Sequence, residues 1–327
     1  MDGGRQLGFA LVQRIGPPSD SERFEGVAFS PGGSVLAIAT ADTNAILLFR
    51  RAQDGQFEER PYSSICGTAS KLSYPHDVSF SPFGNRDLLA VAQRTGAIAV
   101  FRRNWENDAY GEEPILEIKG EHSKLSCSDG VAFAPPNYDY LAACNLASST
   151  ISFYRRTSLY PLQFAQRPEF ELTHPAMFRP DGLAFSQCGR WLATANHGAN
   201  SVTVFERRNR LFCRGKLRYG PEPVSIIKDD KLRYPHSVAF TPRAGHLIVT
   251  NAGGNYFTVY EPTSGLIRRT WSDRCSLQQA VGNEECFRLV NSTNQMEGGP
   301  KGVATSGNEL ALCSPEFGIE IYAYDGR

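Results

Sequence analysis

Tyr74-Pro-His-Asp-Val-Ser-Phe-Ser-Pro82 is one of six versions of a single phrase in this chain. The others are Phe24-Glu-Gly-Val-Ala-Phe-Ser-Pro31, Ser128-Asp-Gly-Val-Ala-Phe-Ala-Pro135, Arg179-Pro-Asp-Gly-Leu-Ala-Phe-Ser186, Tyr234-Pro-His-Ser-Val-Ala-Phe-Thr-Pro242 and Gly299-Pro-Lys-Gly-Val-Ala-Thr305. Their shared apolar residue is Val27, Val78, Val131, Leu183, Val238 and Val303, at spacings of 51, 53, 52, 55 and 65. A period near fifty with strand-like content signals sheets repeated around an axis. The reading is an all-β, six-bladed β-propeller of four-stranded blades, one domain over residues 1–327, with repeats beginning at 24, 75, 128, 180, 235 and 300.

The fourth repeat shows how a blade is built. Gly182-Leu-Ala-Phe-Ser186 is a short apolar strand, and Gln187-Cys-Gly-Arg190 is a turn. Trp191-Leu-Ala-Thr-Ala195 is a second strand, and the alternating Ser201-Val-Thr-Val-Phe205 a third. The outer strand is expected at Leu211-Phe212 or at Val224-Ser-Ile-Ile227. The sixth repeat ends with a third strand, Gly318-Ile-Glu-Ile-Tyr-Ala-Tyr324, while Phe9-Ala-Leu-Val-Gln-Arg-Ile15 precedes the first repeat. Pairing these two closes the ring and removes an open sheet edge. Residues 272–297 interrupt the period and are expected to form an insertion on the face where inner strands begin, here called the top.

Lys and Arg balance Asp and Glu at 34 each, so bulk attraction to nucleic acid or to a membrane surface is not expected. No apolar run approaches the roughly 18 residues of a spanning helix. The opening Met1-Asp-Gly-Gly-Arg-Gln lacks the basic-then-apolar pattern of a secretory leader, so a cytoplasmic location is expected, with reduced thiols. The eight cysteines form no Cys-x-x-Cys pair. P-loop, dinucleotide, Gly-x-Ser-x-Gly and His-Glu-x-x-His patterns are absent.

The residue two before each repeat apolar position starts the inner strand. Around the ring these are Glu25, His76, Asp129, Asp181, His236 and Lys301, all ionisable. Six such groups converging on one channel mouth form a candidate site for a small polar molecule or a peptide. A second ring, from the ends of the second strands, is Asp42, Gln93, Asn145, Asn196, Asn251 and Ser314. Oxygen and imidazole donors in two layers could hold one divalent ion, Ca²⁺ or Zn²⁺, with His76, His236, Asp129 and Asp181 as the metal set. The structural alternative pairs Lys301 with Glu25 and the histidines with Asp129 and Asp181. His197, in the turn after Asn196, is a third top-face histidine candidate, with a simply exposed position as the expectation.

The opposite face carries Arg50-Arg51, Arg102-Arg103, Arg155-Arg156 and Arg207-Arg208 at the ends of third strands. An acidic protein partner could dock there, although nearby acidic residues such as Asp54, Glu106 and Glu112 can neutralise these charges.

The unit Pro-His-x-Val-x-Phe-Ser-Pro-x-Gly, continued by Leu-Ala-x-Ala-Asn and Val-x-Val-Phe, resembles the repeats of YVTN, NHL and lactonase-like propellers over residues 9 to 324. The Gly-His and Trp-Asp pairs of WD repeats are missing. Six blades lean towards the NHL and gluconolactonase side of that group. The resemblance implies a divalent metal near the channel mouth and, as an alternative to simple binding, a metal-assisted hydrolase or lyase with His76 or His236 as general base. The Pro-His pairs at 75–76 and 235–236 are similar to zinc-binding segments of a peptidyl-hydroxyglycine lyase, which brings three histidines together where this ring has two. The gluconolactonase ligand set is not matched residue for residue.

Overall fold

In the computed structural model the described residues are 8–16, 23–82, 87–208, 216–242, 245–262, 271–279 (as a backbone strand), 298–314 and 317–325. They form six antiparallel sheets, each meandering outward from the axis. Blade one is β2 (Phe24–Phe29), β3 (Val35–Thr40), β4 (Ala45–Arg50) and β5 (Ser63–Ile65). Blade two is β6 (Pro75–Phe80), β7 (Leu88–Gln93), β8 (Ala97–Arg102) and β9 (Leu116–Lys119). Blade four is β15 (Pro180–Phe185), β16 (Trp191–Asn196), β17 (Ser201–Glu206) and β18 (Ser225–Lys228). Blade five is β19 (Pro235–Phe240), β20 (Leu247–Asn251), β21 (Tyr256–Pro262) and β22 (Trp271–Gln279).

Blade three departs from the pattern. Its strands β10 (Ser128–Ala134), β11 (Tyr140–Asn145) and β12 (Thr150–Leu159) are followed by two short partners of β12. The first half of β12 pairs with β14 (Phe170–Leu172), the usual outer strand. Its second half folds into a hairpin with β13 (Leu162–Phe164), whose tip carries Leu159 and the almost fully exposed Tyr160.

Closure is as expected from the sequence. Blade six has β23 (Val303–Ser306), β24 (Glu309–Ser314) and β25 (Gly318–Tyr324), and β1 (Phe9–Ile15) supplies the outer strand. The register runs from Phe9 opposite Tyr324 to Ile15 opposite Ile319. Ile15 is buried among Phe24, Phe49 and Ile321, so the N-terminal strand also packs blade six against blade one.

Two assignments change. The outer strand of blade four is the Val224-Ser-Ile-Ile stretch, with Ile227 buried; Leu211-Phe212 lies outside the described residues. Residues 272–279 are the outer strand of blade five rather than the start of an insertion, and 280–297 lie outside the described residues. The sequence Ser-Asp-Arg-Cys-Ser-Leu-Gln-Gln lacks the apolar alternation of a strand, but backbone pairing with β21 makes it one.

The inner strands explain where the repeated polar residues go. The pairing register shifts between Phe24 and Val27, Pro75 and Asp77, Ser128 and Val131, Pro180 and Leu183, and Pro235 and Val238. Each shift is a bulge, which frees a residue from the ladder and re-aims its side chain. Glycine follows the polar residue in four repeats because neighbouring inner strands almost touch there. A Cβ on Gly26 would lie 2.6 Å from Asp77 Cα, and one on Gly182 2.7 Å from Ser237 Cα. No helix among the described residues is long and apolar enough to cross a membrane.

Candidate functional site

Five of the six predicted ring residues come from strand-start bulges and the sixth, Lys301, from the segment just before β23; all six are buried, at 0–4% exposure. They form one connected cluster on the axis beneath the top surface, where the sequence had placed them at an open mouth.

Glu25 is the carboxylate on which the cations converge. Lys301 Nζ lies 3.0 Å from its Oε2, and Arg23 Nε lies 2.7 Å from its Oε1. Burial alone would raise the Glu25 carboxyl, but Lys301, aided by His76 and His236, outweighs it and holds the group well below the usual range. Asp129 is matched by Arg94, which spans both carboxylate oxygens at 2.9 and 3.2 Å. Burial still dominates, and Asp129 is pushed up to about 6.

The two ring histidines meet across the axis, although they start on blades two and five. Their rings stack at 4.9 Å between centroids. Their Nε2 atoms lie 3.5 and 3.4 Å from the same Glu25 Oε2. His76 Nδ1 is 3.1 Å from the Asp129 carbonyl oxygen. An N–H donated there leaves Nε2 as a lone pair facing the axis. Burial keeps both rings neutral: it lowers His76, with Arg94 acting in the same direction, and pushes His236 down to about 4.

Asp181 differs from the other acids. Neither of its carboxylate oxygens has a hydrogen-bond partner among the described residues. Around it stand three imidazole nitrogens: His197 Nδ1 at 3.6 Å, His236 Nε2 at 3.7 Å and His76 Nδ1 at 3.8 Å. Burial raises its pKa well above the ordinary carboxylate value, and the neighbouring Asp129 charge adds to this. A buried carboxylate without a hydrogen-bond partner is costly as an anion, which favours its protonated form.

His197, expected in an exposed turn, is instead buried to 9% exposure and turned towards Asp181. Sequence reasoning missed Arg23 and Arg94. Both lie at the top of the cluster, about one-third exposed, and both place their guanidinium over the Tyr74 ring. Arg94 directly follows a second-strand end, so its position in the repeat was the available signal.

The second ring is occupied within its own blades. Asn145 Oδ1 accepts from Ser126 N, Asn251 Oδ1 from Arg233 N, and Gln93 Oε1 from Ser73 N. The Asn196 amide donates to Ser201 and Thr203, while its buried Oδ1 has no partner among the described residues. Thr40, not Asp42, holds the equivalent place in blade one; Asp42 lies in the following turn, 3.7 Å from Arg23. In blades two, three and five these amides tie the entering loop to the second strand.

On the opposite face four of the eight paired arginines have acidic partners among the described residues. Arg51 reaches Glu309 of blade six at 2.6 Å, Arg50 reaches Asp108 at 3.2 Å, Arg103 also pairs with Asp108, and Arg156 pairs with Asp139 at 2.5 Å.

No family model matches the chain, and no curated protein matches it. Solved structures do. A candidate 6-phosphogluconolactonase from Bacteroides uniformis aligns with TM-score 0.61 at 13% identity, covering 96% of this chain and 83% of the other. The periplasmic gluconolactonase PpgL of Pseudomonas aeruginosa aligns with TM-score 0.60 at 17% identity, covering 91% and 80%. The β-propeller domain of Cps50 (Swd1) from Myceliophthora thermophila aligns with TM-score 0.58 at 12% identity, covering 92% and 83%. At these identities the likeness is one of fold.

Proposed function

We propose that this propeller is a scaffold that binds a small polar ligand at the top of its axis, and that the ligand is a divalent cation held by His76, His236, Asp181 and Glu25. The observation that carries this reading is Asp181, a buried carboxylate with no hydrogen-bond partner among the described residues, surrounded by imidazole nitrogens. A cation supplies the missing charge, so binding and ionisation of Asp181 occur together.

The donors fit an ion. Glu25, His76 and His236 each offer an atom within 4.8 Å of the others; Asp181 falls in a second such group with His76 and Asp129, and stands 3.7 Å from His236 Nε2. Two ligands on a tetrahedral ion with bonds near 2.1 Å stand about 3.4 Å apart. The spacings from Glu25 Oε2 to the two Nε2 atoms, 3.5 and 3.4 Å, are of that size. The Asp129 carbonyl oxygen beside His76 Nδ1 is the usual outer partner of a ligating histidine. Two imidazoles favour zinc or a related transition metal over calcium, which takes oxygen ligands. Lys301 and Arg23 already neutralise Glu25, so Asp181 carries most of the attraction.

A second reading, a lactonase-like hydrolase, is supported by Arg23 and Arg94. They are part-exposed cations directly above the cluster, suited to hold an anionic substrate group. A bound divalent ion supplies carbonyl polarisation or a more acidic water. In this reading His76 and His236 are ligands, and the proton acceptor is His197, oriented by Asp181 at 3.6 Å.

Elemental analysis of protein purified without chelator tests the first reading, with about one divalent ion per chain expected. Asp181→Asn should lose the ion while remaining folded. If neither bound metal nor a thermal shift on adding Zn²⁺, Mn²⁺ or Ca²⁺ is found, the cation site is wrong. Hydrolysis of glucono-lactone followed by pH-stat tests the second: no metal-dependent turnover leaves a binding scaffold.

A further inference from the structure

The axis holds a second chamber. Below the polar cluster, a cavity of about 360 Å³ is lined by all six inner strands and reaches Pro82, Pro135 and Gln187 on the opposite face. None of the six ring residues lines it. The layer at Gly26, Gly130, Gly182 and Gly302, where a Cβ would meet a neighbouring strand at 2.6–2.7 Å, separates the two.

The cavity exists because one small residue per blade occupies the same level: Ala28, Ser79, Ala132, Ala184, Ala239 and Ala304. Phe29, Phe80, Phe133, Phe185 and Phe240 also line it. At its inner end two repeats replace the layer glycine with a polar residue, Asp77 and Ser237. Among the described residues Asp77 is the only charged side chain in the lining. Its Oδ2 accepts from Val131 N at 3.0 Å, which holds the carboxyl in place, and the residue keeps reachable surface although protein surrounds it.

We propose that this lower cavity is an independent binding site for a compact organic ammonium ion, with the apolar body among the small and aromatic residues and the cationic head towards the Asp77 carboxylate. The volume falls in the range of small-molecule pockets, roughly 300–1,000 Å³. A lone carboxyl group in a cavity of apolar and aromatic residues favours a cation over an anion, because a bound ammonium stabilises its ionised form, and aromatic faces add attraction for an ammonium. Burying the organic part removes apolar surface from water. The inference is independent of the cation reading at the other end of the axis, since none of the residues of that cluster lines the lower cavity.

The test is isothermal titration of the full chain with 2-phenylethylammonium, compared with neutral 2-phenylethanol and anionic 3-phenylpropanoate. Saturable binding of the ammonium is expected, with each comparison compound weaker by about tenfold or more. Asp77→Asn keeps the acceptor for Val131 N and should weaken the ammonium by a similar factor. Ala184→Leu fills the cavity without touching Asp77 and should abolish binding; it preserves the test if Asp77→Asn fails to fold. Asp181→Asn, in the other chamber, should change the affinity less than about twofold. The proposal is overturned by absence of saturation at millimolar ammonium, by equal binding of the alcohol, or by Ala184→Leu binding as the parent does. Loss of binding in a folded Asp181→Asn protein also overturns it, because the chambers would then not be separate.

Discussion

Lys301 Nζ and Glu25 Oε2 lie 3.0 Å apart, although 276 positions separate the two residues in the chain. Lys301 precedes the inner strand of the last blade and Glu25 lies in that of the first, so the pair forms only when the ring has closed. It is a buried ion pair at the same seam that β1 seals on the outside. Removing one partner should therefore cost more than removing both. Lys301→Met is expected to destabilise the fold by about 3–5 kcal/mol, because a buried carboxylate loses its main counter-charge. Glu25→Gln combined with Lys301→Met should recover a large part of that loss. Urea denaturation of the three proteins checks the ordering.

The outer seam makes its own prediction. Deleting residues 1–16 exposes the edge of β25 and uncovers the cluster around Ile15. Lower thermal stability and concentration-dependent association are expected, because an unpaired edge templates further strands. Ile15→Ala alone, at 1% exposure, should cost about 2–4 kcal/mol. A truncated protein that stays monomeric with an unchanged Tm contradicts this account of closure.

Gly26→Ala tests the separating layer. Its Cβ would lie 2.6 Å from Asp77 Cα and 2.7 Å from the His76 carbonyl oxygen, both backbone atoms. Backbone cannot move aside as a flexible side chain can, so a loss of about 1–3 kcal/mol or more is expected. Gly32→Ala, in a turn with open space around it but φ +85°, should act only through backbone strain. Comparing the two melting curves separates crowding at the axis from strain in a loop.

Stability should depend on pH through buried groups that oppose one another, Asp77 and His236 among them. Burial lifts Asp77 from 3.8 to about 7. Between those values the folded chain keeps a proton that the unfolded chain has released, so this contribution is greatest at low pH and is lost as pH rises through about 7. His236 works the other way: burial lowers it from 6.5 to about 4, so its contribution is present above 6.5 and disappears as pH falls through about 4. Asp77→Asn removes the first and leaves the second. Relative to the parent, the variant should gain a few kcal/mol between about pH 4 and 7, measured by denaturation at steps of pH. A constant difference across that range is the contrary result.

The candidate site was legible in part. The ring of Glu25, His76, Asp129, Asp181, His236 and Lys301 could be found because it recurs at one position in every repeat. Arg23 and Arg94 were missed as members, and His197, a top-face candidate, was expected to be exposed, because each belongs to a single blade, where a repeat offers no comparison. The hairpin at Leu159–Leu162 and the strand at Trp271–Gln279 escaped for a related reason: both are local departures from the period.

The blade number, the order of strands within a blade and the pairing of Phe9–Ile15 with Gly318–Tyr324 followed from the sequence by itself. Periodic apolar residues impose strands, and a missing outer strand at one end calls for a spare strand at the other. The Lys301–Glu25 pair was legible as one alternative, and tertiary structure alone decided the other matches. Asp129 receives Arg94, Asp181 receives no Lys or Arg partner among the described residues, and His76 and His236 stack across the axis. Those outcomes depend on distances of an ångström or less between side chains on different blades. They are set by how closely six bulged strands crowd one axis, a quantity that no spacing along the chain encodes.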